Sequence, residues 1–343
     1  MSTVSIVSIV STVSTLIKQL HLMAKKETWW GRYYRPVIYF IVLLCVLIPM
    51  FVEKGLDIQV SKPTKGVYDA VQNIPRKRQE TIKSVEQKIL LEREKENANE
   101  EKITELEEHL ARLKVHSNGV FLICFDFDPG TAPELAPMAE TALRQAFKNG
   151  IIVLGNVGGT AVSAQLAQNI IERVANETRG MYEPKINGKD YLFFGFRPSP
   201  MMVYMQMGES IVSTYDTDYA GTDLDEIPIM KGIKNFEEIE MVLELTGYVG
   251  MPEVWLNVAK TKFNRDLALG MTSVSAADYF PYVQSKQIVG LLSGLRGAAE
   301  YEAISESDGI AVKRMQSQTW AHIFAIALII IGNIEYFIKK LKK

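Results

Sequence analysis

Between Pro36 and Val52 the chain reads PVIYFIVLLCVLIPMFV, an apolar run without a formal charge. A helix of roughly 17 to 25 such residues crosses a bilayer core, so this run predicts a first transmembrane helix over 36–52. Trp29, Trp30, Tyr33 and Tyr34 on its N-terminal side suit the membrane-water interface, and Lys25, Lys26, Arg32 and Arg35 place cations beside it. A cleaved secretory signal is the alternative; the long preceding segment and the lack of a small-residue cleavage site after the run favour an anchor. A second apolar run, Trp320 to Ile338, is interrupted only near its end by Asn333 and Glu335 and is followed by Lys339, Lys340, Lys342 and Lys343. It predicts a second span over 320–338, with a buried helix as the alternative, and a basic tail over 339–343.

Cations flank both runs on their outer sides. The positive-inside rule then puts both termini in the cytoplasm of a cell-membrane protein and the intervening chain outside it, although Lys313 and Arg314 pull mildly the other way. Within residues 1–35, Val4, Ile6, Val7, Ile9, Val10, Val13, Leu16, Ile17 and Leu20 recur at the spacing of an amphipathic helix suited to a membrane surface or a neighbouring subunit. A flexible Ser-rich tail fits the same stretch.

Composition excludes several function classes. A net charge of -2 over 343 residues argues against nucleic acid as a partner. Two cysteines, Cys45 and Cys124, allow no disulfide framework or Cys-rich zinc site. The four histidines, His21, His109, His116 and His322, all fall outside 117–319, so a globular segment there has no imidazole for a Ser-His-Asp triad, a Cys-His dyad or a metal.

After a polar linker over 53–76, residues 77–115 are rich in Glu, Lys, Arg, Gln and aliphatic side chains without Gly or Pro. They predict a long helical stalk. Ile82, Val85, Ile89, Ile103, Leu106, Leu110 and Leu113 hold one seven-residue register, interrupted by Glu92, Glu96 and Asn99. The register predicts homo-oligomerisation through a coiled coil about 55 Å long, in company with the transmembrane segments; a lone helix packed on its own domain is the alternative.

From 116 to 305 short apolar runs alternate with amphipathic stretches. Strands are expected at Val120–Phe127, Ile151–Leu154, Tyr191–Phe196, Ile239–Leu245 and Leu267–Val274, and helices at Ala132–Lys148, Thr160–Glu177, Pro200–Thr214, Pro252–Phe263 and Ala276–Ser285. Such alternation predicts a three-layer α/β domain with a mainly parallel sheet. A further linker is expected over 306–319.

Ligands of open α/β sheets bind beyond the carboxyl ends of strands. There the first strand offers Asp126-Phe127-Asp128-Pro129-Gly130-Thr131, two carboxylates at alternate positions that could share a hard cation such as Mg²⁺. This segment resembles the DxDxT nucleophile motif of haloacid-dehalogenase-type phosphatases over this strand alone. Pro129 before Gly130 departs from that pattern, and the family's later Lys and paired-Asp strand end do not follow in the expected places. The resemblance implies Mg²⁺-dependent phosphatase chemistry on Asp126 and Asp128. Independently of it, the loop-like run YDTDYAGTDLDE offers Asp216, Asp218, Asp223 and Asp225 as further carboxylates; the other reading makes Asp126 and Asp128 caps of the next helix.

The glycine-rich turn Gly155-Asn156-Val157-Gly158-Gly159-Thr160 offers Gly158, Gly159 and Thr160 to an anion, with Arg197 and Arg296 as counter-charges or as partners of nearby carboxylates. Ser273 and Ser275 are candidate ligand residues, or nucleophiles activated by Lys286 or Lys260, although no GxSxG elbow surrounds them. Small residues spaced through Gly290–Glu302 suit a close helix contact, interior packing or a ligand loop. Together these features predict a membrane-anchored oligomeric scaffold or ligand-sensing protein, with a tethered Mg²⁺-dependent hydrolase as the alternative.

Overall fold

The computed structural model describes residues 29–51, 58–95, 97–177, 182–307 and 309–341. Most of the segment read as an amphipathic helix lies outside the described residues. The chain forms two units, one of Met1–Leu56 with Lys313–Lys343 and one of Asp57–Val312. In the first, α1 runs from Trp29 to Phe51, and its apolar part is Pro36–Phe51.

In the second unit, part of the expected linker is ordered as α2 (Lys62–Gln72), opened by a proline in its first turn and burying Val67, Ala70 and Val71. The expected 55 Å stalk is not present. Its sequence forms two helices, α3 (Ile74–Arg93) and α4 (Glu100–Val115), packed on each other. Ile82, Val85, Ile89, Ile103 and Leu113 are buried together, with Leu106 and Leu110 against them, so the heptad seam closes within one chain. The break falls where the seam is polar. Asn99 caps α4 by accepting from the Lys102 N–H at 3.1 Å, and Lys95 and Lys102 reach Glu92 at 2.8 and 3.1 Å.

Six parallel strands follow: β1 (Val120–Asp126), β2 (Ile152–Val157), β3 (Tyr191–Phe196), β4 (Met241–Thr246), β5 (Asp266–Met271) and β6 (Gly290–Ser293). Their order is β3-β2-β1-β4-β5-β6, that of doubly wound sheets, with the switch point between β1 and β4. All seven residues of β1 are buried, because helices cover both faces of the sheet. The helices are α5 (Ala132–Lys148), α6 (Val162–Ala175), α7 (Pro200–Met207), α8 (Ile211–Tyr215), α9 (Met251–Trp255, continued as a π-helix over Leu256–Lys262), α10 (Phe280–Gln284) and α11 (Gly294–Ser305). One layer joins α5 to α2, α6 and α11. The other builds a core from Val120, Leu122 and Cys124 of β1 with Tyr204, Tyr215 and Trp255 of α7, α8 and α9.

The sixth strand was not expected, because its four residues read as part of a small-residue stripe. That stripe serves packing inside the chain. A Cβ on Gly290 would lie 2.5 Å from the Val67 nitrogen and 2.6 Å from the Pro63 oxygen, and one on Gly66 would collide with the Val289 carbonyl oxygen, so α2 lies directly on β6. Gly66→Ala is expected to lower stability by about 1–3 kcal/mol, the usual range for overpacking; an unchanged thermal midpoint would contradict this contact.

Helix α11 also grips both ends of the unit. Glu300 Oε2 accepts from the Ser61 nitrogen at 3.0 Å, the Ser61 hydroxyl at 2.5 Å and the Thr64 hydroxyl at 2.9 Å. Two residues on, Glu302 accepts from the backbone nitrogens of Ala311 at 2.9 Å and Val312 at 3.0 Å.

The last helix, α12, spans Ala311–Leu341 and absorbs much of the expected second linker. Its stretch Ala311–Ile338 is long and apolar enough to cross a membrane. Among the described residues it is the one helix that meets both criteria, where the sequence predicted two. The apolar part of α1 falls short of that length because it starts at Pro36 and the helix is described only to Phe51.

Candidate functional site

The switch point places the carboxyl ends of β1 and β4 beside the turn after β2. Asp126, the last residue of β1, is fully buried, and its Oδ1 accepts the backbone N–H groups of Gly158 at 2.7 Å and Gly159 at 2.8 Å. The glycine turn predicted to cradle an anion therefore holds the protein's own carboxylate. Its close fit explains a glycine at 158, where a Cβ would collide with the Tyr204 hydroxyl. Thr160 continues the turn, its hydroxyl 3.0 Å from that of Ser163 at the start of α6.

The strand ends at Asp126, so Asp128 is not its partner along one strand face. It lies in the following turn, half-buried, where Oδ1 accepts the N–H groups of Gly130 at 2.8 Å and Thr131 at 3.1 Å, and Oδ2 accepts from the Tyr248 hydroxyl at 3.0 Å. These bonds close the turn that precedes α5, whose N-cap position is Thr131. The Thr131 N–H, then the Tyr248 hydroxyl, hold its carboxyl below the usual carboxylate range. Tyr248 is fixed in turn by its nitrogen, which donates to the Thr246 hydroxyl at 2.9 Å. The sequence reading missed Tyr248, although its position two residues beyond β4 is where a switch-point loop must run.

Beneath this mouth, on the face covered by α7, α8 and α9, lies a buried polar cluster. Cys124 pairs across the sheet with Asn156 on one side and Glu244 on the other. Asn156 donates to the Tyr215 hydroxyl at 3.3 Å, and Tyr204 stacks on Trp255 with ring centroids 4.0 Å apart. Glu244 is fully buried and neither of its oxygens has a hydrogen-bond partner; the same holds for Asp126 Oδ2. Burial, and next the charge of Asp126, push the Glu244 carboxyl well above its ordinary range. Burial raises Asp126 to about 6, against the opposing pull of the Gly159 and Gly158 N–H groups. A glutamate alternating with apolar residues in the run Met241–Thr246 is the signal that could have drawn attention to Glu244.

The remaining expected site residues lie elsewhere. Arg197 donates to the Tyr215 carbonyl at 2.6 Å and lies over that ring, which ties β3 to α8. Ser273 donates from its nitrogen and hydroxyl to Glu134 Oε2 at 2.9 and 3.0 Å, so its partner is a carboxylate in place of the expected Lys286 or Lys260. Ser275 accepts from the Thr272 hydroxyl at 3.3 Å, and Arg296 pairs with Glu300 at 2.8 Å. Ser273 and Arg296 line a separate cavity of about 430 Å³ with Ser61, Thr64 and Phe280, at the ends of β5 and β6. Asp218 and Asp223 accept backbone N–H groups of Thr222 and Asp225, which makes them turn formers.

A grouping of three metal-type ligands found among the described residues is His109, Glu237 and Glu238, near the amino end of β4. There Arg112 Nε already lies 2.8 Å from the Glu238 oxygen nearest His109, and the other Glu238 oxygen accepts the N–H groups of Lys234 and Asn235. Burial pushes Glu238 up, and bonds from His109 and Arg112 more than offset it, leaving its carboxyl at about 2. The cluster fastens α4 to the sheet unit.

The carboxyl edge also carries exposed apolar side chains. Val162, Met202, Val249 and Val274, on the segments that follow β2, β3, β4 and β5, are 64%, 66%, 81% and 90% exposed. No family model, no curated protein and no solved structure matches this chain.

Proposed function

We propose that this chain is a membrane-anchored scaffold or ligand-sensing protein whose α/β domain receives its ligand at the carboxyl edge of the sheet. The carrying observation is that edge itself: the segments that follow β2, β3, β4 and β5 each present an exposed aliphatic or thioether side chain, on the edge where doubly wound folds bind ligands. The α12 stretch Ala311–Ile338 supports the anchor by its length and composition. The cationic flanks support cytoplasmic termini and an extracytoplasmic domain, and self-association belongs to the same proposal. The hydrolase reading on Asp126 and Asp128 comes second, because both carboxylates already accept backbone N–H groups; fold class alone decides neither.

The test is photo-crosslinking in native membranes, with a benzophenone side chain at Val249 or Val274. A discrete adduct is expected from each, and none from the same probe at Lys189, between α6 and β3. Equal labelling at all three positions would reject a receiving face at the carboxyl edge.

A further inference from the structure

Among the described residues, two carboxyl groups lie in the sheet with no cation acting on either. Asp126 and Glu244 sit on neighbouring strands and point to the same face, because Cys124 pairs with Glu244 and Asp126 follows Cys124 by two residues. Both are fully buried, and three of their four oxygens have no hydrogen-bond partner. In a medium of low dielectric two adjacent carboxylates cannot both ionise, so such a pair titrates as a unit. The fourth oxygen, Asp126 Oδ1, accepts two backbone N–H groups and so favours the ionised form of Asp126.

We propose that Asp126 and Glu244 hold one proton between them, carried by Glu244 and donated to Asp126 Oδ2, and that this shared proton clamps the Gly158–Gly159 turn shut at the switch point. The bond accounts for two of the three unpartnered oxygens. When the pair loses that proton to solvent, a second buried charge appears beside the first. Asp126 is then driven toward water, and its hold on the glycine turn is released.

The groups facing the pair are consistent with this assignment. They are Cys124 on β1, Asn156 on β2, Tyr204 on α7, Tyr215 on α8 and Trp255 on α9, with Asp128 and Tyr248 over the mouth. Burial keeps the Cys124 thiol and the Tyr204 and Tyr215 hydroxyls protonated, each pushed above its ordinary value. Arg197, outside this set, is engaged by the Tyr215 carbonyl and ring. The Trp255 indole and the Cys124 thiol lie near Glu244 without a well-formed hydrogen bond to it; both favour its ionised form, and burial outweighs them. For a carboxyl raised on folding, the unfolded chain releases its proton near 4.5 while the folded chain keeps it, so stability falls as pH rises above that value.

The experiment compares the full chain in detergent with Glu244→Gln, whose amide can donate to Asp126 Oδ2 at every pH. Hydrogen exchange of the peptide carrying Gly158 and Gly159 is measured from pH 5 to 9 and corrected for the intrinsic rate. In the unmodified chain, protection should fall by roughly tenfold per pH unit once the pair's proton begins to leave, the slope for one proton. In Glu244→Gln it should stay flat. Parallel profiles in the two proteins would overturn the proposal, as would Mg²⁺ or Ca²⁺ raising protection in the unmodified chain alone, which would make the pair a metal site. Should Glu244→Gln not fold, infrared spectra of the unmodified chain decide: a protonated-carboxyl band that persists at pH 7 in deuterated solvent and bleaches as the turn loses protection is expected, and its absence at pH 7 would overturn the assignment.

Discussion

Replacing Arg78 with Met is expected to destabilise the domain by about 3–5 kcal/mol, the usual cost of removing one member of a buried ion pair. For a unit of this size that corresponds to a thermal midpoint lower by roughly 10 °C. Arg78 is wholly buried in α3; its Nε lies 2.8 Å from Glu240 Oε1 and its Nη2 3.0 Å from Glu240 Oε2, just ahead of β4. Burial lowers the Arg78 pKa and raises that of Glu240, so each group is held in its charged form against desolvation by the other. The loss should therefore come from the stranded Glu240 charge more than from a missing attraction. Adding Glu240→Gln to Arg78→Met should restore part of the stability, since the Gln oxygen can still accept the Val120 N–H that Glu240 Oε2 accepts at 2.7 Å. Calorimetry on the two variants decides the matter: a double variant no more stable than Arg78→Met would show that the charge is not what matters.

The second large effect is expected at Trp255. Trp255→Ala should cost about 3–5 kcal/mol, as for other fully buried aromatic side chains. The indole is 0% exposed, stacks on Tyr204, and meets Phe236 edge-on with centroids 6.0 Å apart. Its removal empties the space under Tyr204, whose hydroxyl stands where a Cβ of residue 158 would be, so the glycine turn should loosen together with the global loss. Trp255→Phe, which keeps most of the packing, should cost clearly less. Equal chemical-denaturation midpoints for the Phe and Ala variants would contradict a packing role.

Much of the sheet unit was legible because burial writes itself into composition. The runs VFLICF and YLFFGF are apolar at consecutive positions, as strands covered on both faces must be, and helix Ala132–Lys148 was expected with the bounds it has. The hairpin was not legible. Ile82 to Leu113 keep a heptad register whether the helix continues into a partner or turns back on itself, and only the energy of the turn separates the two. Glu92, Glu96 and Asn99 marked the weak point, and the Asn99 cap shows how the chain used it. β6 escaped notice because four residues carry too little period and its glycine answers to α2, a neighbour distant in sequence.

At the site, the glycine turn and Asp126 were each singled out, and what stayed hidden was that they bind each other. Loop residues advertise donors and acceptors without saying which are spent internally. Glu244 was hidden more deeply, since it sits inside an apolar strand with no spacing to a partner.

The double grip of α11 bears on mechanics. Ser61 and Thr64 are fastened to Glu300, while Ala311 and Val312 are fastened to Glu302, two residues on and on a different face of the helix. Both ends of the unit are thus tied to one short helix that continues directly from β6, so cutting either carboxylate should free one end of the unit while the other stays fastened.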